Sequence, residues 1–109
     1  MLENRKSPRY QGLAHVRIPG ISGGEIVLKD ISITGCCVEC ATADLPPDTQ
    51  YHIEVEPEQI SHIGKFELTV ERKWVVNGDS SMEIGFFIIA SPKGKQFLRY
   101  VDYLAYRHS

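Results

Sequence analysis

Two groups of residues in this chain have the types and spacing to do chemistry. Arg5 and Arg9 stand four apart in "NRKSPRYQG", residues 4–12, and Asp30, Ser32 and Gly35 lie close together in "KDISITGCC", residues 29–37. A guanidinium is a planar fork that takes phosphate oxygens two at a time, donates to the O6 and N7 acceptors of guanine, and stacks on a flat base. A pair of them suits a guanine nucleotide. Asp30 accepts from the N–H donors on the Watson–Crick edge of guanine, Ser32 donates or accepts, and Gly35 permits an unusual backbone angle or close approach of a ligand. Each group also has a plain structural reading. Arginines in a polar leading segment are commonly solvated, and Asp, Ser and Gly can simply make a turn between strands.

The elements that must position these groups read mostly as strands. "LAHVRI" alternates, with Ala14, Val16 and Ile18 on one face and His15 and Arg17 on the other. "PGISGG" is a turn or loop, "EIVLKDIS" a second strand, "GCCVEC" a third, and "ATADLPPDTQ" a connector broken by two prolines. In "YHIEVEP" Tyr51, Ile53 and Val55 face the core and His52, Glu54 and Glu56 the solvent. "KFELTVERKWVV" holds a period of two throughout, with Phe66, Leu68, Val70, Arg72, Trp74 and Val76 on the apolar side and Arg72 its one discordant member. Asn77-Gly78 is a hairpin turn into a last strand around Met82, Ile84, Phe86 and Ile88. From Ser91, a candidate N-cap, and Pro92 at the first helical position, the period becomes helical, with Phe97, Val101 and Leu104, or Leu98, Val101 and Ala105, on one stripe. Six short strands and one helix predict an antiparallel barrel, whose closure removes aggregation-prone edges, with the helix over one end.

Composition narrows the function classes. The 109 residues suit one domain, and 42% hydrophobic with 24% charged residues is the composition of a chain that folds on its own. A net charge of -2 gives no general attraction to a polyanion or an acidic membrane, so anion binding must be local and a nucleic acid polymer is not expected as a partner. No apolar run approaches a membrane span and no secretory signal is legible, which predicts a cytoplasmic location without membrane insertion. Cys36, Cys37 and Cys40 are too clustered for a disulfide framework and lack the second ligand pair of a zinc site; they read as small apolar residues. No close carboxylate pair or nucleophile with an evident base suggests an enzyme.

Arg5 and Arg9 in "RKSPR", followed by Asp30, Ser32 and Gly35 in "DISITG", resemble the RxxxR and DxSxxG motifs of the PilZ domain family in order and spacing, and "EIGFFI" resembles the family's last strand. The resemblance extends over essentially the whole chain and no motif position is substituted. It implies one domain, mainly β: a ligand-clamp segment at 1–12, a six-stranded antiparallel barrel at 13–90 and a C-terminal helix at 91–109. It further implies binding of cyclic di-GMP, a bacterial second messenger, with no cofactor or metal. Arg5 and Arg9 would clamp phosphate and guanine, and Asp30, Ser32 and Gly35 would line the barrel half of the site. Asn4, Lys6, Arg72 and Trp74 are further candidate contacts: Asn4 lies where it could affect whether one ligand or a stacked pair is bound, and Trp74 offers a stacking face whose plain reading is core or rim packing. Such a receptor would act on a protein effector, with motility, surface polysaccharide and virulence as typical outputs. The expected mechanism is ordering of the arginine-bearing segment onto the barrel. The alternative is a PilZ-like interaction module that does not bind the nucleotide.

Overall fold

The structure, a computed structural model, describes residues 9–19, 25–41, 45–91 and 95–107. In chain order the strands are β1 (Tyr10–Gln11), β2 (His15–Arg17), β3 (Ile26–Ile31), β4 (Gly35–Cys40), β5 (Gln50–Glu56), β6 (Phe66–Asn77) and β7 (Met82–Ala90). A 3-10 turn at Gln59–Ser61 joins β5 to β6, and the helix α1 (Lys95–Arg107) follows β7. All strand pairs are antiparallel, and the order β3-β2-β5-β6-β7-β4 closes where β4 returns to β3. The ring has six strands, as the periodicity predicts. The extra strand β1 pairs with the far end of β3, Tyr10 opposite Ile31 and Gln11 opposite Asp30. Two residues expected in a leading segment therefore belong to the sheet.

The core is the inner face of the ring, where Val16, Leu28, Val38, Ile53, Val55, Leu68, Val70, Ile84 and Phe86 are buried. Burying such a side chain fully contributes about 1.5–3 kcal/mol. Cross-strand pairing passes over Lys29 in β3, Lys73 in β6 and Ile89 in β7, so each of these strands carries a one-residue bulge. A bulge sets two successive residues against one and resets the inward–outward phase.

That reset corrects the sequence reading of β6. Strict alternation puts Arg72, Trp74 and Val76 on one apolar face, but the bulge at Lys73 divides them. Arg72 stays in the inner register opposite the buried Phe86, whereas Trp74 lies opposite Gly85 on the outer face and Val75 opposite the buried Ile84. Val76 is exposed.

On α1 the residues Phe97, Tyr100, Val101 and Leu104 are buried while Leu98 is exposed, so the first of the two predicted stripes is the packed one, joined by Tyr100. The Phe66 ring meets those of Phe97 and Tyr100 at centroid distances of 5.8 and 6.0 Å. The Tyr100 hydroxyl donates to Glu58 Oε1 at 2.7 Å, fastening α1 to the segment after β5. Burial and then this bond raise the Tyr100 pKa. The chain entering from β1 passes close beneath the same ring: a Cβ on Gly12 would lie 2.7 Å from the Tyr100 hydroxyl. Pro92 lies outside the described residues, and the Oγ of Ser91 is buried without a hydrogen-bond partner among them.

Candidate functional site

Pairing of β1 with the end of β3 delivers Arg9 to the barrel. Its Nη1 donates to Asp30 Oδ1 at 2.8 Å, with the arginine side chain 16% and the aspartate 27% exposed. The bulge at Lys29 turns Asp30 outward and aligns it with Cys37 of β4. Cys37 lies opposite Gly85 of β7, and Gly85 opposite Trp74 of β6. Asp30, Cys37, Gly85 and Trp74 thus form one transverse row on the outer face. Three inter-strand steps make it roughly 14 Å long. An ion pair stands at one end and an indole at the other.

Glycine lets two side chains close down onto the sheet along the row, where Gly35 and Gly85 are themselves buried. A Cβ on Gly35 would lie 2.8 Å from the Phe86 carbonyl oxygen and 3.1 Å from Arg9 Nη2, so any side chain there displaces the guanidinium. A Cβ on Gly85 would fall 2.3 Å from Trp74 Cε2, because the indole rests directly on that glycine. Beside the row, Phe87 lies opposite Gly35, and the ammonium of Lys73 sits 4.7 Å from the Phe87 ring centroid. Lys29 forms a hydrogen-bonded ion pair with Glu83, which raises the lysine pKa.

Ser32 is placed differently. It is 1% exposed, and its Oγ accepts from the backbone N–H of Thr34 and of Gly35, each at 3.2 Å, while its own N–H donates to the Gly35 carbonyl at 2.8 Å. It therefore shapes the β3–β4 turn beneath the site and sets the position of Gly35. Cys37 is only 2% exposed, and burial, followed by the Asp30 and Glu83 carboxylates, pushes its thiol up to about 11. A thiol protonated at neutral pH is a poor nucleophile.

The structure brings Arg9, Asp30, Gly35 and Trp74 to one surface. It leaves Arg72 off that surface: the arginine is in the inner register, with a buried Nε that has no hydrogen-bond partner among the described residues. Asn4, Arg5 and Lys6 lie outside the described residues. Among those described, no three His, Cys, Asp or Glu side chains are grouped to hold a metal ion, and no helix is long and apolar enough to cross a membrane. Sequence reasoning missed Cys37 and Gly85 as site residues. A glycine inside the apolar run "MEIGFFIIA" is a signal of close approach that pointed to Gly85.

No family model matches the chain, and no curated protein matches it by sequence. Among solved structures it is similar to the Bacillus subtilis inhibitor of motility, MotI/DgrA, with a TM-score of 0.80 at 14% sequence identity. The fold is PilZ-like. The likeness covers 98% of this chain and 52% of MotI/DgrA, so the chain spans about half the length of that neighbour. At this identity the similarity carries the barrel and trailing helix. It does not carry the site, whose case rests on the side chains described above.

Proposed function

We propose that this chain is a cyclic di-GMP receptor that acts as a non-enzymatic adaptor toward a protein effector. The observation that carries the reading is the Arg9–Asp30 pair at 2.8 Å, set against Gly35 at the head of a row that ends in Trp74. Arg9 offers a fork for phosphate or for guanine O6 and N7, Asp30 accepts from the guanine N1 and N2 donors, and Trp74 offers a stacking face. The guanidinium lies against Gly35 of β4 and the indole over Gly85 of the neighbouring β7, so one ligand would reach both, and a cyclic dinucleotide carries its two bases on opposite sides of the phosphate ring. Arg5, four residues before Arg9, would supply the second guanidinium, with Asn4 and Lys6 near it. Gly35 lets Arg9 pack close against the barrel, and Ser32 holds the turn that places Gly35. A motility output accords with the name of the structural neighbour, an inhibitor of motility.

Arg9 is already docked through β1, so the ordering expected on binding would concern the residues before it. Hydrogen exchange over residues 4–12 tests this: protection should increase at residues 4–8 and change little at Tyr10 and Gln11.

The test of the function is isothermal titration of cyclic di-GMP, with GTP and Arg9→Ala as controls. Saturable binding, weakened about tenfold to a hundredfold by loss of one charge-assisted contact, supports the receptor. A folded protein that fails to bind refutes it. One observation favours the second reading, a PilZ-like interaction module that does not bind the nucleotide: Arg9 and Asp30 satisfy each other, and Ser32 is consumed by its turn. Partner binding that survives Arg9→Ala and ignores the nucleotide would establish that module.

A further inference from the structure

Away from the row, a cavity of about 350 Å³ opens between the last turn of α1 and the β1–β3 side of the barrel. Its walls include Leu13, Leu28 and Leu104, and its charged lining is Lys29, Arg107, Glu39 and Glu58. The two cations already have partners: Lys29 is held by Glu83, and Arg107 donates to the Tyr103 hydroxyl at 3.3 Å. The two carboxylates keep spare acceptor capacity. Glu58, with a side chain 11% exposed, accepts from Tyr100 on Oε1, but its Oε2 accepts no hydrogen bond from the described residues and has only Arg107 Nη1 at 3.8 Å. Glu39 accepts from the Ser81 hydroxyl on Oε2.

A buried carboxylate oxygen without a hydrogen-bond donor is costly; Arg107 at 3.8 Å meets it by charge alone, whereas a small ammonium would bring both the charge and a donor to hydrogen-bond distance. The C-terminal turn of α1, which provides Leu104 and Arg107, adds the negative end of the helix dipole. We infer that this cavity binds a primary ammonium carried on a short aliphatic chain. Glu58 and Glu39 take the ammonium, Arg107 swings aside from Glu58, and the chain lies on the three leucines. Free diamines and the side chain of a lysine on a partner protein share this chemistry. The inference is independent of the nucleotide reading, since no residue assigned to the row lines the cavity.

Amide chemical shifts of the full chain, titrated with 1,5-diaminopentane and separately with Nα-acetyl-lysine amide, provide the test. Saturable shifts at residues 11–13, 29, 39 and 104–107 are expected with at least one of them. The stronger of the two identifies the source, a free diamine or a partner's lysine. Glu58→Gln, which keeps an acceptor for Tyr100, and Glu39→Gln should each weaken binding about tenfold or more. Three results would overturn the inference: equal shifts with pentan-1-ol or glutarate, no saturable shift with a folded protein, or unchanged affinity in both variants. Glu39→Gln keeps the test open should Glu58→Gln fail to fold.

Discussion

Replacing Gly35 with alanine tests the site and the fold at one position. The added Cβ would sit 2.8 Å from the Phe86 carbonyl oxygen and 3.1 Å from Arg9 Nη2. An ordinary contact needs about 3.4 Å or more, so β4 and β7 must separate by roughly half an ångström at this point, or the peptide must tilt. Overpacking of this kind costs about 1–3 kcal/mol. Each kcal/mol lowers the melting temperature of a domain of this size by about 4–8 °C. The guanidinium must also shift from a position where it holds Asp30 at 2.8 Å. Displacing one charge-assisted contact in the ligand complex should cost about 1.5–3 kcal/mol, a tenfold to hundredfold loss of affinity. Urea unfolding and titration of cyclic di-GMP read the two effects separately. Gly64→Ala is the control, because a Cβ there meets only Gln96 Nε2 at 3.7 Å. If Gly35→Ala matches Gly64→Ala in both stability and affinity, the close packing of Arg9 over Gly35 is wrong, and the site built on it falls.

Gly85→Ala places a methyl 2.3 Å from the Trp74 ring and must expel the indole; tryptophan emission should shift to the red, and any quenching by cyclic di-GMP should disappear. Tyr100→Phe leaves Glu58 Oε1 without its donor, so urea unfolding should show a loss of about 1–3 kcal/mol. Burial pushes the Cys36 and Cys37 thiols up to about 12 and about 11. The folded state then keeps protons that the unfolded chain releases, so this stability is complete below about pH 9 and is lost as pH rises toward 11–12. Urea midpoints that stay flat across that interval would contradict the burial of these thiols.

The barrel was legible in the sequence because a strand with one buried face must alternate, and Ile53 and Val55 against Glu54 and Glu56 leave no other register. The helix was legible for the same reason at a different period, although two stripes fitted, and packing against Phe66 selected the one that holds Phe97 and added Tyr100, which neither stripe contained. β1 escaped the reading because a two-residue strand carries no periodicity. The bulge at Lys73 escaped it because "VERKWVV" alternates acceptably in either phase, and only pairing with β7 decides which residue is surplus. The placements of Trp74 and Arg72 followed from that phase.

Residue types and spacing alone determined that arginine, aspartate, serine and glycine suited to a guanine nucleotide are present, since side-chain chemistry and backbone freedom are local properties. Tertiary structure decided which of them meet. Arg9 and Asp30 are 21 positions apart and form an ion pair only because β1 lies along the end of β3. Ser32 is taken by its own turn, and Trp74 joins the row through a cross-strand register that a one-residue bulge inverts. Closure of the ring fixed these outcomes, because a register is a relation between distant segments.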